Sequence, residues 1–598
     1  MFAIIALLPL VVLTIAIALL REGSRYLKYV ALAASVTPLL LVPWLLGSIG
    51  TMQSIRWLTV GTYTLHVTTM LLPLNLLLFI LVSIIAPLVV LYANGFMDKL
   101  SEDRRFYIEI LTFQAAMLVF SIAGNFITLL IGWSFLSITS YLLIGFWNHK
   151  ENAPGAARKA IITVIIGDLS ILASAAIMFT TFSTLNFLTI ISDIGGNFVA
   201  SGPFYVAMVL LLVAVLTKSA QFPFQEWLAD AMEGPTPVSA FLHSSTMVKA
   251  GTFMAIILFP LFVAAKLSSL MVLFGGVTIV IAISNALVNK NIKRVLAYST
   301  MEELALILFA LGVGAYAAAI YFFVMQTFYK ALLFFYAGTV IKGNEESEDL
   351  ENVRLYRGNR LLLAIGLIGT LSLAGFFPFN GFFANIMVES SLMSNTLAYA
   401  FMLLVDLGVS FFIIRWFVLP LRKVKNAAML HKLSFSFAML DKKMVYASTI
   451  LAAITLAAPL GSIYIIGAIK GMNHYGYAAA VPSSELLDMV VEMLIVLAGI
   501  YFAYYLFYKK GRRIEKTYWL FNNSTAFNAF YRYFADFIYY LGGAAEFADI
   551  LINEYFDKIG FKTAKLGGYI RNIETGSVSL YVIALIIGLA LLIVGVLV

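Results

Sequence analysis

The 598 residues are 62% hydrophobic and only 12% charged, with a mean hydropathy of +0.95, whereas soluble domains carry roughly 25% charged residues. That balance belongs to the bilayer. The absence of cysteine excludes disulfides, thiolate metal sites and Cys-ligated iron–sulfur clusters within the chain. The net charge of +8 does not imply nucleic acid, because the basic residues fall in short loops between apolar runs, where they set topology.

The first apolar run, Met1 to Leu20, is followed by Arg21, Arg25 and Lys28. A signal peptide places charge before the run and ends in small residues, so this segment is expected to stay as a span. Runs of the length that crosses the hydrocarbon as helix recur about sixteen times. They suggest N-terminal spans over 1–105, two groups of five spans over 106–265 and 266–420, further spans over 421–510 and a final anchor over 577–598. Basic residues concentrate in alternate loops (Lys99/Arg104/Arg105, Lys150/Arg158/Lys159, Lys290/Lys293/Arg294). The alternation predicts a multi-pass protein of a prokaryotic cell membrane, with both termini outside and the basic loops in the cytoplasm.

Two stretches depart from this pattern. Residues 55–68 alternate apolar and polar around Gly61, which predicts a small outer hairpin. Residues 511–576 interleave charges with Tyr518, Trp519, Phe527, Phe530 and Tyr533 at helical spacing, which suits a long amphipathic helix along the membrane surface. Prolines then punctuate the apolar runs. Phe222-Pro223-Phe224 and Phe377-Pro378-Phe379 interrupt spans five helices apart, and Pro237 follows Pro235 before the next run. Paired broken helices suggest two inverted five-helix repeats with an ion path at their interface. The expected fold is therefore an all-α polytopic membrane protein.

The string from Lys218 through Phe222-Pro223-Phe224 and Gly234-Pro235-Thr236-Pro237 to His243 and Met247-Val248-Lys249-Ala250-Gly251 resembles the signature of the antiporter-like membrane subunits. These include the large pumping subunits of complex I, those of membrane-bound hydrogenases, and multi-subunit sodium/proton antiporters. Ser140 to Trp147, Ile292 to Met301 and Lys330 to Phe334 are further family strings, and Arg571 to Val578 resembles the distal complex I pump subunit with its lateral helix. The resemblance implies a membrane-arm subunit that couples electron transfer in partner subunits to proton or sodium movement. Iron–sulfur clusters would sit in those partners, with no cofactor or metal in this chain, and lipids would surround it. Lys249 resembles the stand-alone antiporters, which keeps that alternative open.

An ionisable side chain in a membrane helix is costly and usually works in a wet interior. Lys218, His243, Lys249 and Lys330 are the family's relay positions, and Asp168 is a candidate counter-charge. Two expected groups are absent. Ser134 stands where most relatives carry a glutamate, and Asn385 where they carry a lysine or glutamate; Phe322 and Gln326 replace histidines of the distal pump. Either Glu389, Asp406, Glu302 or Glu303 substitutes, or the path is impaired and the chain is a non-conducting clamp. No nucleophile–base pair or metal-ligand cluster suggests a substrate-converting enzyme.

Overall fold

A computed structural model describes residues 7–60, 63–97, 103–195, 200–354, 360–393, 395–422, 441–461 and 486–511. The chain divides into the units Met1–Tyr518 and Trp519–Val598, and all described residues belong to the first. The expected lateral helix beyond Gly511, the last anchor and the Arg571–Val578 string lie outside the described residues.

Among the described residues, ten helices are long and apolar enough to cross a membrane. The chain begins with α1 (Leu8–Leu19), α2 (Arg25–Leu40) and the short α3 (Val42–Leu46). A two-stranded antiparallel hairpin follows, β1 (Met52–Val60) and β2 (Tyr63–Met70), with Ile55 opposite Val67 and a bulge between Arg56 and Leu58. A hairpin was expected over this stretch. It docks on the turn after the fifth helix, where Gly124 N donates to Thr68 O at 2.9 Å and Met70 N to Ile122 O at 2.8 Å.

Helices α4 (Pro73–Phe96), α5 (Asp103–Ser121), α6 (Phe126–Ile144) and α7 (Ala153–Phe182) come next, then the short α8 (Phe187–Ile194). On α7, Ile162, Ile165, Leu169 and Leu172 are exposed, a face suited to lipid because the helix satisfies its own backbone. The broken span follows as α9 (Gly202–Lys218) and α10 (Glu226–Asp230), and then α11 (Thr236–Ser244), α12 (Met247–Ile257) and α13 (Phe259–Ala264). Helices α14 (Ser268–Val288), α15 (Ile292–Gly312) and α16 (Tyr316–Gly343) precede a second broken pair, α17 (Arg360–Leu373) and α18 (Asn380–Leu392). The described chain closes with α19 (Thr396–Val418), α20 (Lys442–Ala457) and α21 (Leu486–Ala503), the last running into a π turn at Tyr504–Lys509.

At the centre stands α16, whose most apolar 18-residue window is fully buried. It packs against α11, α15, α17, α18 and α20, so any polar group on it must find its partners inside the protein.

Both Phe-Pro sites break helices, and they do so in the same way. Ala220 and Gly375 take the left-handed conformation, at φ 51° and 69°. Gln221 N then donates to Leu216 O at 2.8 Å, as Phe376 N does to Leu371 O at 3.0 Å. The following prolines supply no N–H to continue a helix. The apolar run over 361–392 is therefore two helices, with the interruption at Pro378. Pro237 needs a different correction: it lies in the first turn of α11, where proline fits without loss. The interruption of that span falls instead at Ser245–Thr246, where Thr246 turns its hydroxyl onto Phe241 O at 2.6 Å.

The basic loops pair with the α10 segment as well as with solvent. Lys159 contacts Asp230 at 2.8 Å and Glu226 at 3.4 Å, and Arg294 contacts Asp230 and Glu233 at 3.4 Å. Buried Lys293 caps Met232 O at 2.5 Å and meets Glu348. These contacts fix the segment that leads into α11.

Candidate ion path

The first cluster forms where α9 ends. Lys218, the last residue of that helix, is wholly buried. Its Nζ donates to Ser137 Oγ at 2.6 Å and Trp133 O at 3.1 Å, over the Trp133 ring, and lies 3.9 Å from Asp168 Oδ1. Asp168 in turn accepts from Trp133 Nε1 at 2.7 Å and Ser137 Oγ at 3.0 Å. The close approach of Gly167 to Thr217 brings α7 against α9 at this level. So α7 supplies the negative charge that Ser134 cannot. Ser137, which bridges the ammonium and the carboxylate, was not singled out from sequence; its position one turn beyond Trp133 was the available signal.

The second cluster lies along α16. His243 is buried and stacks on Phe334, ring centroids 5.2 Å apart, with neither ring nitrogen bonded to protein. The hydroxyls of Ser244 and Ser245, at the interruption of its helix, are likewise buried without a protein partner. Buried polar groups are normally satisfied, and water is the remaining partner for a run of this kind. Lys249 donates to Phe323 O and to Thr327 Oγ1, each at 2.5 Å. Lys330 is ion-paired with Glu303 at 2.6 Å and donates to Ser299 Oγ at 2.8 Å. Glu303 also accepts from Gln326 Nε2 at 2.9 Å. Gln326 thus holds the acid, whereas Phe322 is a buried apolar neighbour on the same helix. Glu302, beside it, is buried within electrostatic range of Glu303, Lys330 and Asp406.

The third cluster surrounds the second helix break. Asn385 Nδ2 donates to Asp406 Oδ1 at 3.0 Å. Glu389, one turn further along α18, brings its carboxyl to that of Asp406. Two ionised carboxylates side by side in a buried site repel one another. A residue that sequence reasoning missed, Glu492 of α21, joins them.

The three clusters follow one another through the buried middle of the protein. The Ser219 hydroxyl donates to Val248 O at 2.9 Å, joining the end of α9 to the residue before Lys249. His243 and Lys249 both lie within electrostatic range of Lys330. The sequence-derived positions Asp168, Lys218, His243, Lys249, Lys330, Glu302, Glu303, Asn385, Glu389 and Asp406 are all brought to this axis, while Ser134 makes no side-chain hydrogen bond to it among the described residues. Among the described residues no group of His, Asp and Glu could hold a metal ion. The arrangement can pass a charge along alternating acids and bases.

Residues 123–412 match the transmembrane family described as NADH:quinone oxidoreductase/Mrp antiporter. The chain is 34% identical over 380 residues to NAD(P)H-quinone oxidoreductase subunit 5 from the chloroplast of Zygnema circumcarinatum, an alignment covering 61% of this chain and 54% of that protein. It is 34% identical over 376 residues to NADH-quinone oxidoreductase subunit L of Mycobacterium tuberculosis, covering 60% and 58%. The chain thus spans about half the length of the curated relatives it matches. The solved Mrp complex from Dietzia sp. shares the fold with a TM-score of 0.75 at 23% identity, over 100% of this chain and 63% of the matched one.

Proposed function

From the membership of residues 123–412 in the NADH:quinone oxidoreductase/Mrp antiporter transmembrane family, we propose that this chain is an ion-translocating membrane subunit of a complex I-related respiratory assembly. It moves protons or sodium ions, driven by electron transfer in partners that carry the iron–sulfur clusters. The observation that supports this most strongly is the sequence of buried ionisable groups: Lys218 with Asp168, then His243 and Lys249, then Lys330 with Glu303, then Asp406 with Glu389. Charges inside a membrane protein are costly and mark transport paths.

Each group has one task in this reading. Lys218 receives a proton at the first break, where Ser137 and Asp168 hold its ammonium. His243, stacked and without protein partners, passes protons through water toward Lys330. Lys330 exchanges its partner between Glu303 and the proton it releases, and the carboxyls at the second break deliver the proton onward. The two broken helices belong to two inverted repeats over 106–265 and 266–420. The membrane is that of a prokaryotic cell, with both termini outside.

The test is proton flux into proteoliposomes holding the assembly purified through a tag on this chain, driven by an imposed potassium/valinomycin potential and read by entrapped pyranine. Wild type is expected to conduct and Lys218→Met to lose conduction. Equal flux in the two would sink the relay reading. A second reading, the large subunit of a stand-alone sodium/proton antiporter, is favoured by the superposition of the whole chain on the Mrp complex.

A further inference from the structure

Helix α21 lies beyond the segment that the family match covers, yet it delivers a carboxyl to the second helix break. Glu492 is fully buried. Among the described residues no donor bonds to either of its oxygens, to either oxygen of Glu389, or to Oδ2 of Asp406. Its place is fixed by geometry at three points. A methyl group on Gly375, at the left-handed corner of the break, would stand 2.6 Å from Asn385 Nδ2 and 3.6 Å from Glu492 Oε1. The amide of Phe377 donates to the sulfur of the neighbouring Met493 at 3.4 Å. One turn pair further along, Gly499 packs on Leu407 O and Ser410 of α19, which holds α21 in register with Asp406.

The groups facing this carboxyl are Asn385 and Glu389 from α18, Tyr399 and Asp406 from α19, and Asp488 from α21 itself. Among the described residues none of the groups facing it is a cation. Buried carboxylates that lack a cation are strongly disfavoured as ions, and three of them in one place require protons. The amide of Asn385 covers a single oxygen, Asp406 Oδ1. Where a lysine would have held one charge, this chain places the three carboxyls of Glu389, Asp406 and Glu492.

We propose that Glu492 is a proton-carrying residue of the ion path, supplied by a helix outside the two repeats to complete the relay at the second break in place of the missing base at Asn385. The proton passes between the Glu389/Asp406 pair and the Glu492 carboxyl, whose O–H bond forms as the donor's breaks. No other reactant is needed. The assignment rests on the ion-path reading above.

Two measurements on the intact assembly test it. In infrared difference spectra of the assembly between acidic and alkaline buffer, the C=O band of a protonated buried carboxylic acid should vanish in Glu492→Gln and move in Glu492→Asp. In the pyranine assay, flux in Glu492→Gln should fall by about tenfold or more, as removal of a positioned proton carrier lowers transfer rates, with part restored in Glu492→Asp. If Glu492→Gln fails to assemble, the band shift and flux of Glu492→Asp decide alone. Wild-type flux with an unchanged Glu492→Gln overturns this assignment and leaves the ion path standing. Loss of the band on adding sodium at constant pH overturns it too, by placing a cation there. Absence of flux in wild type overturns both.

Discussion

Lys330 and Glu303 stand 2.6 Å apart, with side chains 0% and 2% exposed. Removing one member of a buried pair strands the other and costs about 3–5 kcal/mol, whereas removing both charges together is often close to neutral. Lys330→Met should therefore lower the thermal midpoint of the purified assembly, and Lys330→Met/Glu303→Gln should recover most of the loss. Neither variant should conduct, because the relay needs the charge and not only the stability. Recovery of flux in the double variant would make the pair structural. Asp168 is the other decisive partner: in Asp168→Asn the ammonium of Lys218 keeps only the neutral acceptors Ser137 Oγ and Trp133 O. Proton flux should fall in that variant, and Ser134→Glu added to it should restore part of the flux if a carboxylate at the usual family position can stand in. Asp406→Asn is a third test in the same pyranine assay, since undiminished flux would remove Asp406 from the path.

At the scale of elements, the two helix breaks share backbone geometry but differ in their corner residue, Ala220 in one and Gly375 in the other. A side chain in the left-handed region costs roughly 1–2 kcal/mol, and at Gly375 it would also strike the Asn385 amide. Gly375→Ala should lower the midpoint of thermal unfolding and reduce flux through the second break, while Ala220→Gly should leave the first break working. Equal flux in Gly375→Ala and wild type would show that the corner does not position Asn385. These breaks were legible in the sequence because proline removes a donor wherever it falls. The interruption at Ser245–Thr246 was not, since neither residue forbids helix and only the surrounding packing imposes it. The hairpin was legible from its period of two around Gly61, and the spans from their length. Pairing was the hardest part to read. Asp168 stood out as an acid in an apolar run, but that Glu303 and not Glu302 meets Lys330 depends on how α15 is turned against α16. Glu492 escaped notice because its span carries no family string and two acids, Asp488 and Glu492, in an otherwise apolar run pass as tolerated exceptions.

For the whole molecule, the question is what this chain works with. Its path contains acids and bases but, among the described residues, no group that could hold a metal, and the 598 residues include no cysteine for clusters. An ion path of this kind stores no energy of its own. It must be driven either by electron transfer in attached subunits or by the gradient of a second ion. The two drivers leave different partners. Gentle detergent purification of the tagged chain from its native host, with mass spectrometry and iron analysis, is expected to yield hydrophilic subunits carrying iron. Flux should then respond to reductant and acceptor added to the reconstituted assembly. Small hydrophobic partners without iron, and flux that follows an imposed sodium gradient instead, would assign the chain to the stand-alone antiporters.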